Sequence, residues 1–66
     1  MDITAAEQTR IRLHNLITNI APYNYTLRSY HIAAIAACVR TLRFHYGLEV
    51  DVPVEIEAEL ILEGYL

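Results

Sequence analysis

The chain has 66 residues, of which 55% are apolar and 20% are charged, and its formal net charge is −3 at pH 7. A domain of this length buries only about 60% of its unfolded surface, so this apolar content predicts that self-association or a partner covers part of the apolar surface. The single cysteine excludes an intramolecular disulfide, and the longest apolar run, Ile32 to Val39, is far shorter than the roughly 20 residues of a transmembrane helix.

The first predicted helix covers about residues 5–20. Thr4 and Glu7 have the spacing of a capping box, in which the threonine side chain accepts a hydrogen bond from the backbone N–H of Glu7. Pro22 follows closely enough to end the helix. At about 100° per residue, one apolar stripe is predicted to face the core. Its members are Ala6, Leu13, Leu16, Ile17 and Ile20.

The second predicted helix covers about residues 27–46, with Asn24 or Thr26 as its N-cap and Gly47 as the glycine that follows its end. Its broad apolar face contains Leu27, Ala34, Ile35, Cys38, Val39 and Leu42, and a short heptad pattern contains Ile32, Ile35, Val39, Leu42 and Tyr46. Three arginines are predicted to face water: Arg28, Arg40 and Arg43. A helix this apolar is usually packed on two sides, and one of those sides can belong to another subunit.

The segment from Leu48 to Leu60 alternates apolar residues with acids or proline, a pattern typical of a half-buried strand. Pro53 would restrict such a strand to an edge, and no second segment alternates in the same way. We therefore predict an extended segment over residues 48–52 and a third helix over about residues 53–63, with Pro53 at its first helical position. Its main apolar stripe would be Val54, Ala58, Ile61, Leu62 and Tyr65, with Ile56 and Leu60 as a second strip.

Together these elements predict an all-α fold, a compact three-helix bundle with a long central helix that is completed by self-association or by a partner. Charge is distributed unevenly along it. Residues 1–46 contain five arginines against Asp2 and Glu7, a net charge of +3, whereas residues 47–66 contain six acids and no base. This asymmetry indicates internal docking of the two parts, an electrostatic contact with a partner, or simple compositional bias.

No motif for catalysis, cofactor binding or metal binding is present, so we expect a protein that is not an enzyme. His31, Cys38 and His45 are seven residues apart, but seven helical residues rise about 10.5 Å, so they cannot ligate one ion within a helix. Cys38 falls mid-helix on the apolar face, where a thiol is usually inert.

The most informative feature is an acidic row at i, i+4 spacing, Glu55, Glu59 and Glu63, with no base in the segment to relieve it. Three interpretations are open: a face that keeps the protein in solution, a surface that docks onto Arg40 and Arg43 or onto a basic patch of a partner, and a mimic of a nucleic-acid strand.

Our hypothesis is a small non-enzymatic protein–protein interaction module, either an oligomer-forming subunit or an adaptor or inhibitor of a larger assembly, such as a phage or mobile-element accessory protein. Another protein or a second copy is the expected partner, and no membrane is expected. The predicted contact consists of Ile56 and Leu60 flanked by Glu55, Glu59 and Glu63. The second candidate surface is the small-residue face of the central helix, Ser29, Ala33, Ala36 and Ala37.

Two alternatives to this hypothesis are an acidic nucleic-acid mimic and a dimeric DNA-binding regulator that uses Arg40 and Arg43. Direct binding of DNA is disfavoured because the last helix is acidic and would repel phosphate. The first residues also lack the basic flank and apolar run of a secretory signal, so an intracellular, cytoplasmic location is expected.

Overall fold

A computed structural model of the chain describes residues 4–20 and 25–66, and these residues form helices and connections without a strand. In chain order the elements are α1 (Ala5–Thr18), α2 (Tyr25–Arg40), a π-helical turn (Thr41–His45) that continues α2, and α3 (Val54–Leu62). Helix α2 packs against both α1 and α3. The predicted all-α architecture of three packed helices with a long central one is confirmed.

The start of α1 follows the predicted cap. Thr4 has extended backbone angles, and its Oγ1 accepts a hydrogen bond from the backbone N–H of Glu7 at 3.1 Å. Helix α1 ends at Thr18, two residues before the predicted end, because Asn19 caps it and donates to the carbonyl of Asn15 from both its backbone and its side chain. Of the predicted stripe, two members are buried and three are half-buried against the core: Leu13 and Ile20, then Ala6, Leu16 and Ile17.

Helix α2 supplies most of the core. It begins at Tyr25, two residues earlier than predicted, so Thr26 lies within the helix and is not its cap, while Pro22 and Asn24 lie outside the described residues. Leu27 was predicted on the core face but is 48% exposed, because it lies in the first turn, ahead of the first buried residue. The buried residues are Ile32, Ile35, Ala36, Cys38, Val39 and Leu42.

The end of α2 widens into a π-helical turn. The backbone N–H of Tyr46 donates to the carbonyl of Thr41, five residues back, and that of Leu48 donates to Leu42. This wider turn changes the angular step per residue, so Tyr46 does not continue the heptad pattern and is 37% exposed. Gly47 has φ of +67° and follows the helix end as predicted, because a glycine adopts this left-handed conformation without a Cβ clash.

Pro53 is the N-cap of α3. Its ψ of 138° is extended, and its carbonyl accepts from the backbone N–H groups of Ile56 and Glu57, so the prediction that Pro53 is the first helical residue is wrong by one position. The C-terminal end is a Schellman motif around Gly64, which has φ of +85°. In this motif Tyr65 donates to Leu60 and Gly64 donates to Ile61.

The molecule is thin, with extents of 38 × 22 × 16 Å. The axes of packed helices lie about 8–10 Å apart and Cα atoms about 2.3 Å from each axis, so the shortest dimension holds two helix layers. Each helix therefore keeps one face toward solvent. Packing of the core does not determine which residues lie on these outer faces.

Candidate functional site

Helix α3 faces the core with the opposite strip from the one predicted as its main apolar stripe. Ile56 and Leu60 are buried, with 6% and 0% of their surface exposed. They are core residues, so the predicted contact surface built on Ile56 and Leu60 is wrong in this fold. Tyr65 is half-buried and packs on the core, because the turn at Gly64 directs the chain back toward it.

The strip that was predicted to face the core lies on the surface instead. We call it the outer face of α3: Val54, Ala58, Ile61 and Leu62. Val54 is 78% exposed, Ile61 57% and Leu62 85%, and Ala58 is also exposed. Their i, i+4, i+7, i+8 spacing places them on one continuous stripe. An apolar stripe on one helix differs from the scattered exposed apolar residues that every protein surface carries.

Ion pairs with α2 explain which strip faces inward. Arg28 donates to both carboxylate oxygens of Glu59, from Nη2 to Oε1 at 2.7 Å and from Nε to Oε2 at 3.1 Å. This hydrogen bonding raises the pKa of Arg28 above its ordinary value, against the lowering effect of burial. Arg43 Nη1 donates to Glu57 Oε1 at 2.8 Å. Since Glu57 and Glu59 flank the strip of Ile56 and Leu60 on either side, both pairs form only with that strip inward.

The arginines of α2 thus hold the C-terminal part of the chain. Arg43 also donates to the carbonyl of Val50 at 2.8 Å, so the prediction that it faces water is wrong, as it is for the half-buried Arg28. Arg40 is exposed, as predicted, but donates to the carbonyl of Tyr65 at 2.8 Å and lies over the ring of Phe44. The uneven charge distribution therefore includes internal docking, which was one of the three open explanations.

The acidic row is divided between the fold and solvent. Glu59 is bound by Arg28, rather than by Arg40 or Arg43, and the acid that Arg43 binds is Glu57. Glu55 and Glu63 are exposed and have no ion pair with any described residue. The row is therefore not one uniform surface.

Comparisons with protein-family models, with curated proteins and with solved structures found no match to this chain. The chemistry of the surfaces is therefore the observation that bears on function.

The remaining predicted sites give no comparable surface. The small-residue face of α2 is split, since Ala36 is buried, Ala33 is half-buried, and Ser29 and Ala37 are exposed. Burial raises the pKa of the Cys38 thiol, although Arg12 acts in the opposite direction. Within residues 4–20 and 25–66, no cluster of three or more histidine, cysteine or acidic side chains could hold a metal ion, and none of the helices there is long and apolar enough to cross a membrane.

The residues that sequence reasoning missed are Val54, Ile61 and Leu62, because it placed them in the core. One signal in the sequence could have identified them. The acids at 57 and 59 flank Ile56 and Leu60 symmetrically on a helical wheel, and α2 carries arginines at 28 and 43 that can pair with them.

Proposed function

We propose that this chain is a small, non-enzymatic protein–protein interaction module that docks onto another protein through the outer face of α3. The observation that carries this proposal is the exposure of Val54, Ile61 and Leu62 on a helix whose opposite side already fills the core. Covering one such side chain is worth about 1.5–3 kcal/mol. A partner that covers the stripe gains this free energy without any rearrangement of the core.

The ends of the stripe are held in place by the fold, which favours a preformed docking surface. Pro53 and the Schellman motif at Gly64 fix the two ends of α3, and the pairs from Arg28 and Arg43 fix its rotation about its axis. A rigid helix loses little conformational entropy on binding.

The two alternative functions have less support. A DNA-binding regulator would need Arg40 and Arg43, whose guanidinium groups donate to the carbonyls of Tyr65 and Val50. A nucleic-acid mimic would need a continuous line of negative charge, and Glu59 in the middle of the acidic row is paired with Arg28.

Site-specific photo-crosslinking in the native cell tests the proposal. A photoreactive amino acid replaces Leu62 in one version of the chain and Gln8, an exposed residue of α1, in the control. We expect a discrete adduct from position 62 and little or none from position 8. Equal adducts from both positions, or none from position 62, would contradict the proposal. The adduct mass separates a second copy from another protein.

A further inference from the structure

The charges around the outer face of α3 specify the chemistry of its partner. Resting on the proposed function, we propose that the outer face binds an amphipathic helix of another protein whose apolar stripe is flanked by arginine or lysine. The proposal follows from the sign of every charged group on α3, from the rotation of the helix, and from the mismatch that a second copy would meet.

Every charged side chain that residues 47–66 supply is acidic: Glu49, Asp51, Glu55, Glu57, Glu59 and Glu63. Glu57 and Glu59 lie toward α2 and are paired with its arginines. Glu55 is exposed and, at about 100° per residue, lies only about 20° from Leu62 around the helix axis. It therefore stands at the edge of the outer face as a carboxylate without a cation partner among the described residues.

The C-terminal end of the stripe is also negative. The last carbonyls of a helix carry a partial negative charge. The exposed carboxylate of Glu63 is next in the chain, about 100° around the axis from Leu62, where it lines a hollow with Arg28 and Glu59. No basic residue occurs anywhere in residues 47–66. Cationic side chains beside the apolar stripe of a partner would find favourable positions at this end and next to Glu55.

A second copy of this chain does not meet these requirements. If two outer faces packed on each other, the acidic edges of both helices would be brought together, and like charges across an interface are unfavourable. The outward side of α1 has arginines, but only one exposed isoleucine, Ile11, lies between Arg10 and Arg12.

Tyr30 and Phe44 are also exposed, and Arg40 lies over the ring of Phe44. The two aromatic residues are about 21 Å apart along the helix, and Arg40 is held by the carbonyl of Tyr65, so they do not form a compact apolar stripe with basic edges. The complementary partner is therefore another protein.

The shape of the surface favours a helix as the bound element. Four apolar side chains at helical spacing form a ridge along α3 and offer no sheet edge for a strand to join, whereas the ridges of one helix pack readily into the grooves of another helix. Helix α3 has nine residues and is about 14 Å long. It presents less surface than the roughly 800 Å² per partner of a standard interface. Because apolar burial is limited by this small area, ion pairs at its edge should contribute measurably to the affinity.

Three synthetic helical peptides of roughly 18 residues, about five turns, test the proposal with the full chain in a fluorescence anisotropy titration. The first has a leucine stripe flanked by arginines. The second keeps the leucines and replaces the arginines with glutamate, and the third keeps the arginines and replaces the leucines with serine. We expect the first to bind at least tenfold more tightly than either control and to weaken at about 0.3 M salt. Equal binding of the glutamate peptide, or no binding of the arginine peptide, overturns the proposal.

Variants of the chain show whether the peptide occupies the outer face. Leu62→Ser should weaken binding of the arginine peptide at least tenfold, and Ile11→Ser on α1 should leave it unchanged. Glu55→Gln should weaken binding about two- to fivefold, the range of an exposed ion pair. If Leu62→Ser binds as well as the unmodified chain, the peptide is held by charge alone and the proposal fails.

This experiment and the crosslinking experiment fail independently. An adduct at position 62 without preference for the arginine peptide leaves the interaction module in place and overturns the basic helix as its partner. An adduct of twice the chain's mass from position 62, absent from position 8, identifies a second copy as the occupant and likewise overturns the basic helix.

Discussion

Helices α1 and α3 pack against the same central helix, yet their outward sides differ in composition. The outward side of α1 carries Gln8, Asn15 and Thr18, with Ile11 as one exposed apolar residue. The outward side of α3 carries four apolar residues, Val54, Ala58, Ile61 and Leu62, with the carboxylate of Glu55 at one edge.

This difference separates what folding requires from what it does not. One buried strip per helix is enough to pack α1 on α2, as the polar outward side of α1 demonstrates. Helix α3 has the same kind of buried strip in Ile56 and Leu60. Its second apolar strip is therefore surplus to the core, and exposing it carries a risk of aggregation that a binding function would explain.

The largest expected effect distinguishes the two sides of α3 with the same substitution. Leu60→Ala should lower the free energy of unfolding by about 2–5 kcal/mol, because it leaves a cavity in the core. Leu62→Ala should change it by less than about 0.5 kcal/mol, because Leu62 is 85% exposed. Urea unfolding followed by circular dichroism measures both. If Leu60→Ala does not fold, Ile56→Val and Ile61→Val give a milder pair, and equal losses within that pair would contradict the assignment of faces.

The end of α3 gives the next effect. Gly64 has φ of +85°, so Gly64→Ala should cost about 1–2 kcal/mol of stability, since an L side chain is strained in this conformation. Gly64→Asn should cost less, because asparagine tolerates the left-handed region better. Thermal unfolding should give the lowest Tm for Gly64→Ala, an intermediate Tm for Gly64→Asn and the highest for the unmodified chain. An unchanged Tm in Gly64→Ala would argue against the Schellman motif.

The start of α1 gives a smaller effect. Thr4→Ala removes the acceptor for the backbone N–H of Glu7 and should cost about 1 kcal/mol. Thr18→Ala, in the exposed last turn, is the control and should be close to neutral. Equal losses in the two variants, measured by urea unfolding, would mean that the cap contributes nothing specific.

The smallest effect concerns the pair that fixes the rotation of α3. A double-mutant cycle with Arg28→Met and Glu59→Gln should give a coupling of about 0.5–1 kcal/mol, because both side chains are partly exposed. The coupling should fall as salt is added. A coupling of zero at low salt would indicate that apolar packing alone sets the rotation.

Local signals predicted much of this fold. The predicted roles of Thr4 and Gly47 at helix ends are correct because capping depends on the residue at one position and its immediate neighbours. The predicted core face of α2 is largely correct because its apolar residues repeat over several turns. The ends of the helices shifted by one or two residues, since Asn19 and Pro53 take roles that several neighbours could fill.

The orientation of α3 could not be predicted with the same certainty. Its two apolar strips both fit the helical period, so hydrophobicity alone does not choose between them. The choice depends on contacts between positions far apart in the chain, Arg28 with Glu59 and Arg43 with Glu57. Sequence reasoning recognised the opposite charges of the two parts but could not assign these pairs.

The most direct test of the central claim measures stability and binding in the same variant. This variant combines Ile61→Ser and Leu62→Ser with a photoreactive residue at position 54, and it is compared with the chain that carries only the photoreactive residue. If the outer face of α3 is a docking surface and not part of the core, the free energy of unfolding should stay within about 1 kcal/mol of the unsubstituted chain, and the adduct from position 54 should be lost. Loss of folding in this variant, or an adduct of undiminished yield, would contradict the account.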